Sequence, residues 1–288
     1  MTSLKMILTF DLDPPTFSNE LRVDAPQNYS DERAILKLKL LISMLEEKFD
    51  SIIPVTIFLR NATIESGILI DHPIYANLKV IKATRFKKLE LGLHPHINDC
   101  VVSDSQSAEE LTQNLMSNFK LLHENGFKTK IIRFGGNYKC GAMTQIIQNS
   151  AVQINSSEIF GRNTNDGIHF SECSSFEEVN ISQNYIHNIP ISTTFIRINQ
   201  TNKRVYFDFS FKNVHQRDLD SLNIVRNNPY FVTISHPATF FENVYGETDK
   251  YEFGINHWFA SFLKTYKELS IKFKEITFED ISAAVIKI

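Results

Sequence analysis

At 288 residues, 42% hydrophobic and 22% charged, the chain has an ordinary globular composition and can bury a sizeable core, in one large α/β domain or two small ones. A net charge of −3 without any basic run argues against a nucleic-acid surface. The three cysteines, Cys100, Cys140 and Cys173, form no close pair, which excludes a disulfide scaffold and a Cys-x-x-Cys zinc site.

No apolar run approaches the roughly 20 residues of a membrane span. The chain enters a strand-like segment after a few residues, without the basic stretch and apolar region of a signal peptide, so a cytoplasmic protein is the default expectation. In chain order, "KMILTF" (5–10) predicts a first strand, and the helical spacing of "DERAILKLKLLISMLEEKF" predicts a helix over 31–49. "IPVTIFL" (53–59) predicts a second strand, followed by a helix near 72–83 and the alternating strand "KLELGL" (88–93). Residues 107–126 predict a helix with Ser107 as N-cap, Glu110 three residues on and Gly126 as the stop.

"TKIIRF" (129–134) reads as a strand, with a helix near 140–149 and an apolar run at 151–154. The stretch 156–213 is less periodic and rich in Ser, Asn and Thr, and is expected to hold short strands and long loops. A helix near 216–227, the strand "YFVTIS" (230–235), a helix over 255–273 and a final strand "KEITF" complete the chain. Strand–helix alternation of this kind predicts a mostly parallel sheet or barrel. With no linker or repeat in view, 1–288 is expected to be one domain carrying an irregular insertion at about 156–213.

The unusual polar groups fall at strand ends. Asp11 and Asp13 follow the first strand, His94 and His96 the third, Arg133 closes 129–134 and His236 closes 230–235. Parallel α/β sheets and barrels carry their sites at the carboxyl ends of the strands. Asp11 and Asp13, two apart on an extended segment, share a face. Two carboxylates so close need a proton or a cation between them. Pro95 pushes His94 toward extended backbone, so His94 and His96 can share a face too. Neutral imidazoles with one carboxylate make the open three-ligand site that a catalytic metal needs, and Asn98 is a further candidate ligand. Arg133 near carboxylates would hold one of them ionised. Gly135-Gly136 suits close backbone approach to a ligand. His236 suits a general acid.

Together these residues resemble the polysaccharide deacetylases with a NodB-homology domain, the family of carbohydrate esterase family 4 and its relatives. Thr9-Phe10-Asp11-Leu12-Asp13 resembles a Phe-Asp-x-Asp variant of the first family motif, and Glu90-Leu91-Gly92-Leu93-His94 the first half of Glu-Ile-Gly-x-His-Ser/Thr-x-x-His. "VTIFL" (55–59), Ile234-Ser235-His236 and the closing "KFKEITFEDI" are similar to further family segments, and the resemblance runs over about 5–281. It implies a distorted, incomplete (β/α) barrel that removes an N-acetyl or other N-acyl group from an amino sugar. It further implies Asp11 as base, Arg133 as its orienter, His236 as acid, and Asp13 and His94 as ligands of one divalent ion, Zn first and Co, Mn or Ni next. A backbone N–H near Asn137 or Tyr138 would complete the oxyanion site.

The chain departs from the family in two places. The second family histidine falls on Asn98, with His96 extra and favoured as third ligand because imidazole binds divalent metals better than a carboxamide. The prolines expected after Arg133 are missing. The Gly-Leu-His-Pro segment resembles a branch found with bacterial O-antigen and capsule genes, which implies a nucleotide- or lipid-linked amino sugar as substrate. Three other readings stand beside this one. An aspartyl-phosphate phosphatase needs Thr where Pro15 stands. The others are a non-catalytic carbohydrate-binding relative and a metal amidase acting on a non-sugar amide.

Overall fold

The computed structural model describes residues 3–13, 23–24, 29–65, 67–97, 105–135, 141–157, 178–181, 184–189, 191–198, 201–210, 230–241, 245–246 and 254–286. The chain opens with β1 (Ser3–Leu12), β2 (Val23–Asp24) and helix α1 (Asp31–Phe49). Next come β3 (Val55–Leu59), the hairpin β4 (Ala62–Glu65) and β5 (Ile68–Asp71), and helix α2 (Tyr75–Thr84). β6 (Leu89–Leu93), the short β7 (His96–Ile97) and α3 (Ser105–Glu124) lead to β8 (Ile131–Ile132), α4 (Gly141–Asn149) and β9 (Ile154–Asn155). The irregular middle holds β10 (Glu178–Ile181), β11 (Asn184–Asn188), β12 (Thr193–Ile198) and β13 (Thr201–Tyr206). β14 (Tyr230–Val232), β15 (Tyr245–Gly246), α5 (Ile255–Lys272), β16 (Glu275–Phe278) and α6 (Ile281–Ile286) follow.

The main sheet runs β10-β11-β9-β8-β6-β3-β1-β14, parallel from β11 to β14, with the β10–β11 hairpin antiparallel at one edge. β1 is the pivot. β14 takes one of its edges, while β3 pairs along Leu8–Leu12 and β16 along Ser3–Met6. This curled parallel sheet is an incomplete (β/α) barrel, the form that the family resemblance implied, where the strand–helix alternation by itself predicted a mostly parallel sheet or barrel.

Alternation along each strand splits the core in two. Leu4, Met6, Leu8, Phe10 and Leu12 of β1 face outward with Ile35, Leu38 and Ile42 of α1 and Trp258 and Phe262 of α5. Ile7, Phe58, Ile131, Ile154, Tyr230 and Val232 face inward and fill one end of the barrel. α1 forms where its apolar residues recur at three and four. Ser30 caps it, accepting from the Arg33 N–H at 3.2 Å, with Asp31 and Glu32 in the first turn where negative charge is favoured.

Ile281 and Ala284 of α6 complete the inner cluster. Glu90 docks that short helix: its carboxylate accepts from the Ile281 and Ser282 N–H groups at 3.1 and 3.2 Å and from the Thr56 hydroxyl at 2.9 Å. Burial raises the Glu90 carboxyl above its ordinary value.

Several boundaries differ from the sequence reading. α3 starts at Ser105, so Ser107 lies inside its first turn instead of capping it. Gly126 does stop that helix, at φ +93, with its N–H donating to the His123 carbonyl. The strand expected over 129–134 is regular as β8 only at Ile131–Ile132, although the Arg133 and Gly135 N–H groups still donate to the Leu93 and Pro95 carbonyls. The helix expected near 216–227 lies outside the described residues. No described helix is long and apolar enough to cross a membrane.

Candidate metal centre

The inward alternation of each strand, continued past the apolar layer, arrives at the candidate residues. On β1 the series Ile7, Thr9, Asp11, Asp13 climbs the inner face, and on β6 Glu90, Gly92, His94, His96 does the same. Ile131, Arg133 and Gly135, and Tyr230, Val232, Ile234 and His236, share that parity. The residues predicted from strand ends therefore converge because they occupy one face of one curled sheet.

Asp13, His94 and His96 come together with one ligand atom each, all within 4.8 Å of one another. Asp13 Oδ1 is 3.1 Å from His96 Nε2, and Asp13 Oδ2 is 3.4 Å from His94 Nε2. His94 Nδ1 lies 2.7 Å from the Arg133 carbonyl oxygen. A carbonyl only accepts, so Nδ1 carries a proton and donates, and Nε2 is the nitrogen that faces the carboxylates. Burial, opposed by Asp13, pulls His96 down to about 4, leaving a neutral imidazole near neutrality. Burial alone would raise Asp13, but His96 and His94 outweigh it and hold the carboxyl well below its usual range. Two imidazoles and one carboxylate converging in this way fit a divalent transition metal.

His96 sits on β7, which pairs with β4 in the small sheet β5-β4-β7, Thr63 opposite His96. Gly135 faces it across an isolated bridge, and a side chain there would fall on the His96 ring. This glycine makes room for the His96 ring, where the sequence reading expected close approach to a ligand.

Beside the triad, Arg133 is fully buried and every nitrogen is engaged. Nη1 donates to Asp11 Oδ1 at 2.8 Å and to Thr9 Oγ1 at 2.7 Å, Nε to the Ser156 carbonyl at 3.1 Å, and Nη2 to Ser156 Oγ at 2.9 Å. Its guanidinium also lies 4.1 Å over the Phe58 ring, a contact worth about 2 kcal/mol when desolvated. Gly92 permits this, since a Cβ there would meet Phe58 at 2.6 Å. Asp11 thus has one oxygen tied to Arg133, while Oδ2 lies 3.8 Å from His94 Nε2.

His236 stands across the site, its Nε2 3.9 Å from Asp13 Oδ2 and its Nδ1 3.6 Å from Asp208 Oδ2. Burial would lower it, but Asp208 first, then Asp11 and Asp13, push it up to about 9. Asp208 was missed in the sequence. It lies just after β13 in "VYFDFSF", with Phe207 and Phe209 packed in the outer core and the carboxylate between them fully buried. Oδ1 accepts from the Ser210 N–H at 2.8 Å and from the Ser235 hydroxyl at 3.3 Å, and the Trp258 indole N–H donates to Ser235 Oγ at 2.9 Å. An aspartate in an aromatic alternation was its only sequence signal. Arg60, buried beside Asp13, was also passed over, although it continues the inner series Thr56, Phe58 on β3. Asn98, Asn137 and Tyr138 lie outside the described residues.

No protein-family profile matches the chain, and no curated protein sequence does. Among solved structures, the chain is similar to a protein from Mycobacterium smegmatis described as a "putative polysaccharide deacetylase", with a TM-score of 0.50 and 12% identity. The similarity covers 98% of this chain and 88% of that one. At this identity the likeness concerns the fold, and the chain shares with that protein the incomplete (β/α) barrel on which the site is built.

Proposed function

We propose that the protein is a metal-dependent hydrolase that removes an N-acetyl or other N-acyl group from an amino sugar. The observation that carries this reading is the convergence of Asp13, His94 and His96 beside an Asp11 gripped by Arg133, with the His236–Asp208 pair opposite. The fold shared with a protein described as a "putative polysaccharide deacetylase" supports the class of reaction. The sequence motifs support a precursor of a cell-surface polysaccharide as substrate, handled by a single cytoplasmic domain spanning the chain.

Asp13, His94 and His96 would hold the ion, Zn first among the candidates, which when bound supplies Lewis-acid polarisation of the amide and acidifies water. The chain's own groups divide the proton work. Asp11, with Oδ1 tied to Arg133, presents Oδ2 toward the triad and takes the proton from the attacking water. His236, protonated at neutral pH, delivers a proton to the departing amine as the C–N bond breaks. Asp208 keeps the His236 ring charged and oriented.

Acetate release from a panel of N-acetylated amino sugars, free and nucleotide-linked, tests the reading. Activity is expected to disappear on chelation and return with Zn, Co or Mn; activity that survives exhaustive metal removal would overturn it. The acid has a pH signature. Because the His236 pKa is raised, its proton is present at neutral pH and is lost as pH climbs through about 9, so kcat should fall there. Asp208→Asn is expected to move that falling limb toward the ordinary histidine value of about 6.5. An unmoved limb in this variant would take His236 out of the acid role.

A further inference from the structure

We propose that Arg60 is a built-in competitor for the metal, a fixed guanidinium that neutralises Asp13 and weakens the binding of a divalent ion there. This inference rests on the reading of Asp13, His94 and His96 as the metal ligands.

Arg60 is 3% exposed, one residue past β3 and on its inner-face parity. Its position is set by β4. Nε and Nη2 donate to Thr63 Oγ1 at 3.1 and 2.6 Å, and the same hydroxyl lies 3.0 Å from His72 Nε2. Thr63 is the β4 residue in register with His96. One residue of the small sheet thus anchors the guanidinium and flanks a ligand histidine. Nη1 then falls 3.5 Å from Asp13 Oδ1, the oxygen that also faces His96 Nε2.

Two effects of such a contact oppose each other. A hydrogen-bonding partner that orients a ligating carboxylate strengthens metal binding, whereas a cation fixed beside that carboxylate repels the ion and competes for its oxygen. The geometry favours the second effect. The contact to Asp13 is long, while the two short bonds go to Thr63, so Arg60 is held by β4 rather than by the carboxylate. Both Asp13 oxygens already face an imidazole nitrogen, His96 Nε2 at Oδ1 and His94 Nε2 at Oδ2. Charge matching points the same way. Arg133 answers Asp11 at 2.8 Å and Arg60 answers Asp13, so two carboxylates and two guanidiniums balance before any ion arrives. An incoming divalent cation meets carboxylates that already have guanidiniums beside them, and the imidazole donors must supply much of the affinity. The reaction would therefore run on an ion that exchanges readily, and loss of Arg60 would convert the centre to a tighter one.

The test is metal affinity itself, with no turnover involved. Apoprotein prepared by chelation is titrated with Zn and with Co against a chromophoric competitor, at fixed pH and salt. The wild type is compared with Arg60→Met, Arg60→Gln and Asp13→Asn, and circular dichroism confirms each fold. Arg60→Gln keeps a donor for Thr63 without the charge and stands in should Arg60→Met fail to fold. The expected result is Zn binding at least tenfold tighter in the Arg60 variants than in the wild type, and lost in Asp13→Asn. Unchanged or looser binding in the Arg60 variants, with Asp13-dependent binding in the wild type, overturns the competitor role and leaves the metal centre standing. No Asp13-dependent binding in any of these proteins overturns both.

Discussion

Asp11→Asn is expected to lower the turnover number about 10²–10⁴-fold while leaving the metal in place. The substitution is nearly isosteric and removes only the ability to accept a proton at Oδ2. The three candidate ligands are Asp13, His94 and His96, and Asp11 is outside that set. Arg133 Nη1 can still donate to an amide oxygen, so the buried hydrogen bond at 2.8 Å has a replacement acceptor. Metal content by atomic spectroscopy should match the wild type, and kcat should carry the loss. Asp13→Asn is expected to behave in the opposite order, losing metal first and activity as a consequence. Near-normal activity in Asp11→Asn would remove this residue as the base.

The largest stability effect is expected at Arg133. Arg133→Met strips Asp11 of its buried counter-charge and leaves Thr9 Oγ1, the Ser156 carbonyl and Ser156 Oγ without their donor. Breaking a buried, hydrogen-bonded ion pair from one side costs about 3–5 kcal/mol, which for a chain of this size lowers Tm by roughly 10 °C. Much of the cost is the stranded Asp11 charge, so Asp11→Asn added to Arg133→Met should recover part of the stability, the two effects combining to less than their sum. Thermal unfolding of the metal-free proteins measures this. A single variant within about 1 kcal/mol of wild type, with no recovery in the double variant, would show that the pair does not hold this end of the barrel together.

How much of this could be read from the chain depends on whether the information is local. The strand–helix alternation, and with it a mostly parallel sheet or barrel, is local. Hydrophobic spacing fixes α1 and α5 almost to the residue, and residues at strand ends such as Asp11, His94, Arg133 and His236 announce themselves as ionisable groups after apolar runs. Helix starts were less legible: α3 begins two residues before the Ser107 that looked like its cap. Glu90 stood out only as part of a motif, and its contacts with α6, nearly two hundred residues away, could not be anticipated from its neighbours.

What the sequence alone determined is the inner face, because side chains alternate along a strand: Asp11, Asp13, Arg133 and His236 lie an even number of positions past an inward apolar residue, and His94 and His96 an odd number past the outward Leu91 and Leu93. Only the tertiary structure decided which of them meet and in what state. His94 is held through Nδ1 by the carbonyl of Arg133, thirty-nine residues on. His96 has room because Gly135 lacks a side chain, His236 is charged because Asp208 arrives from the irregular middle, and Arg60 reaches Asp13 because Thr63 holds it there. Each of these depends on the curvature of the sheet bringing distant segments within a few ångströms of one another, where burial makes charge and hydrogen-bond partners decisive.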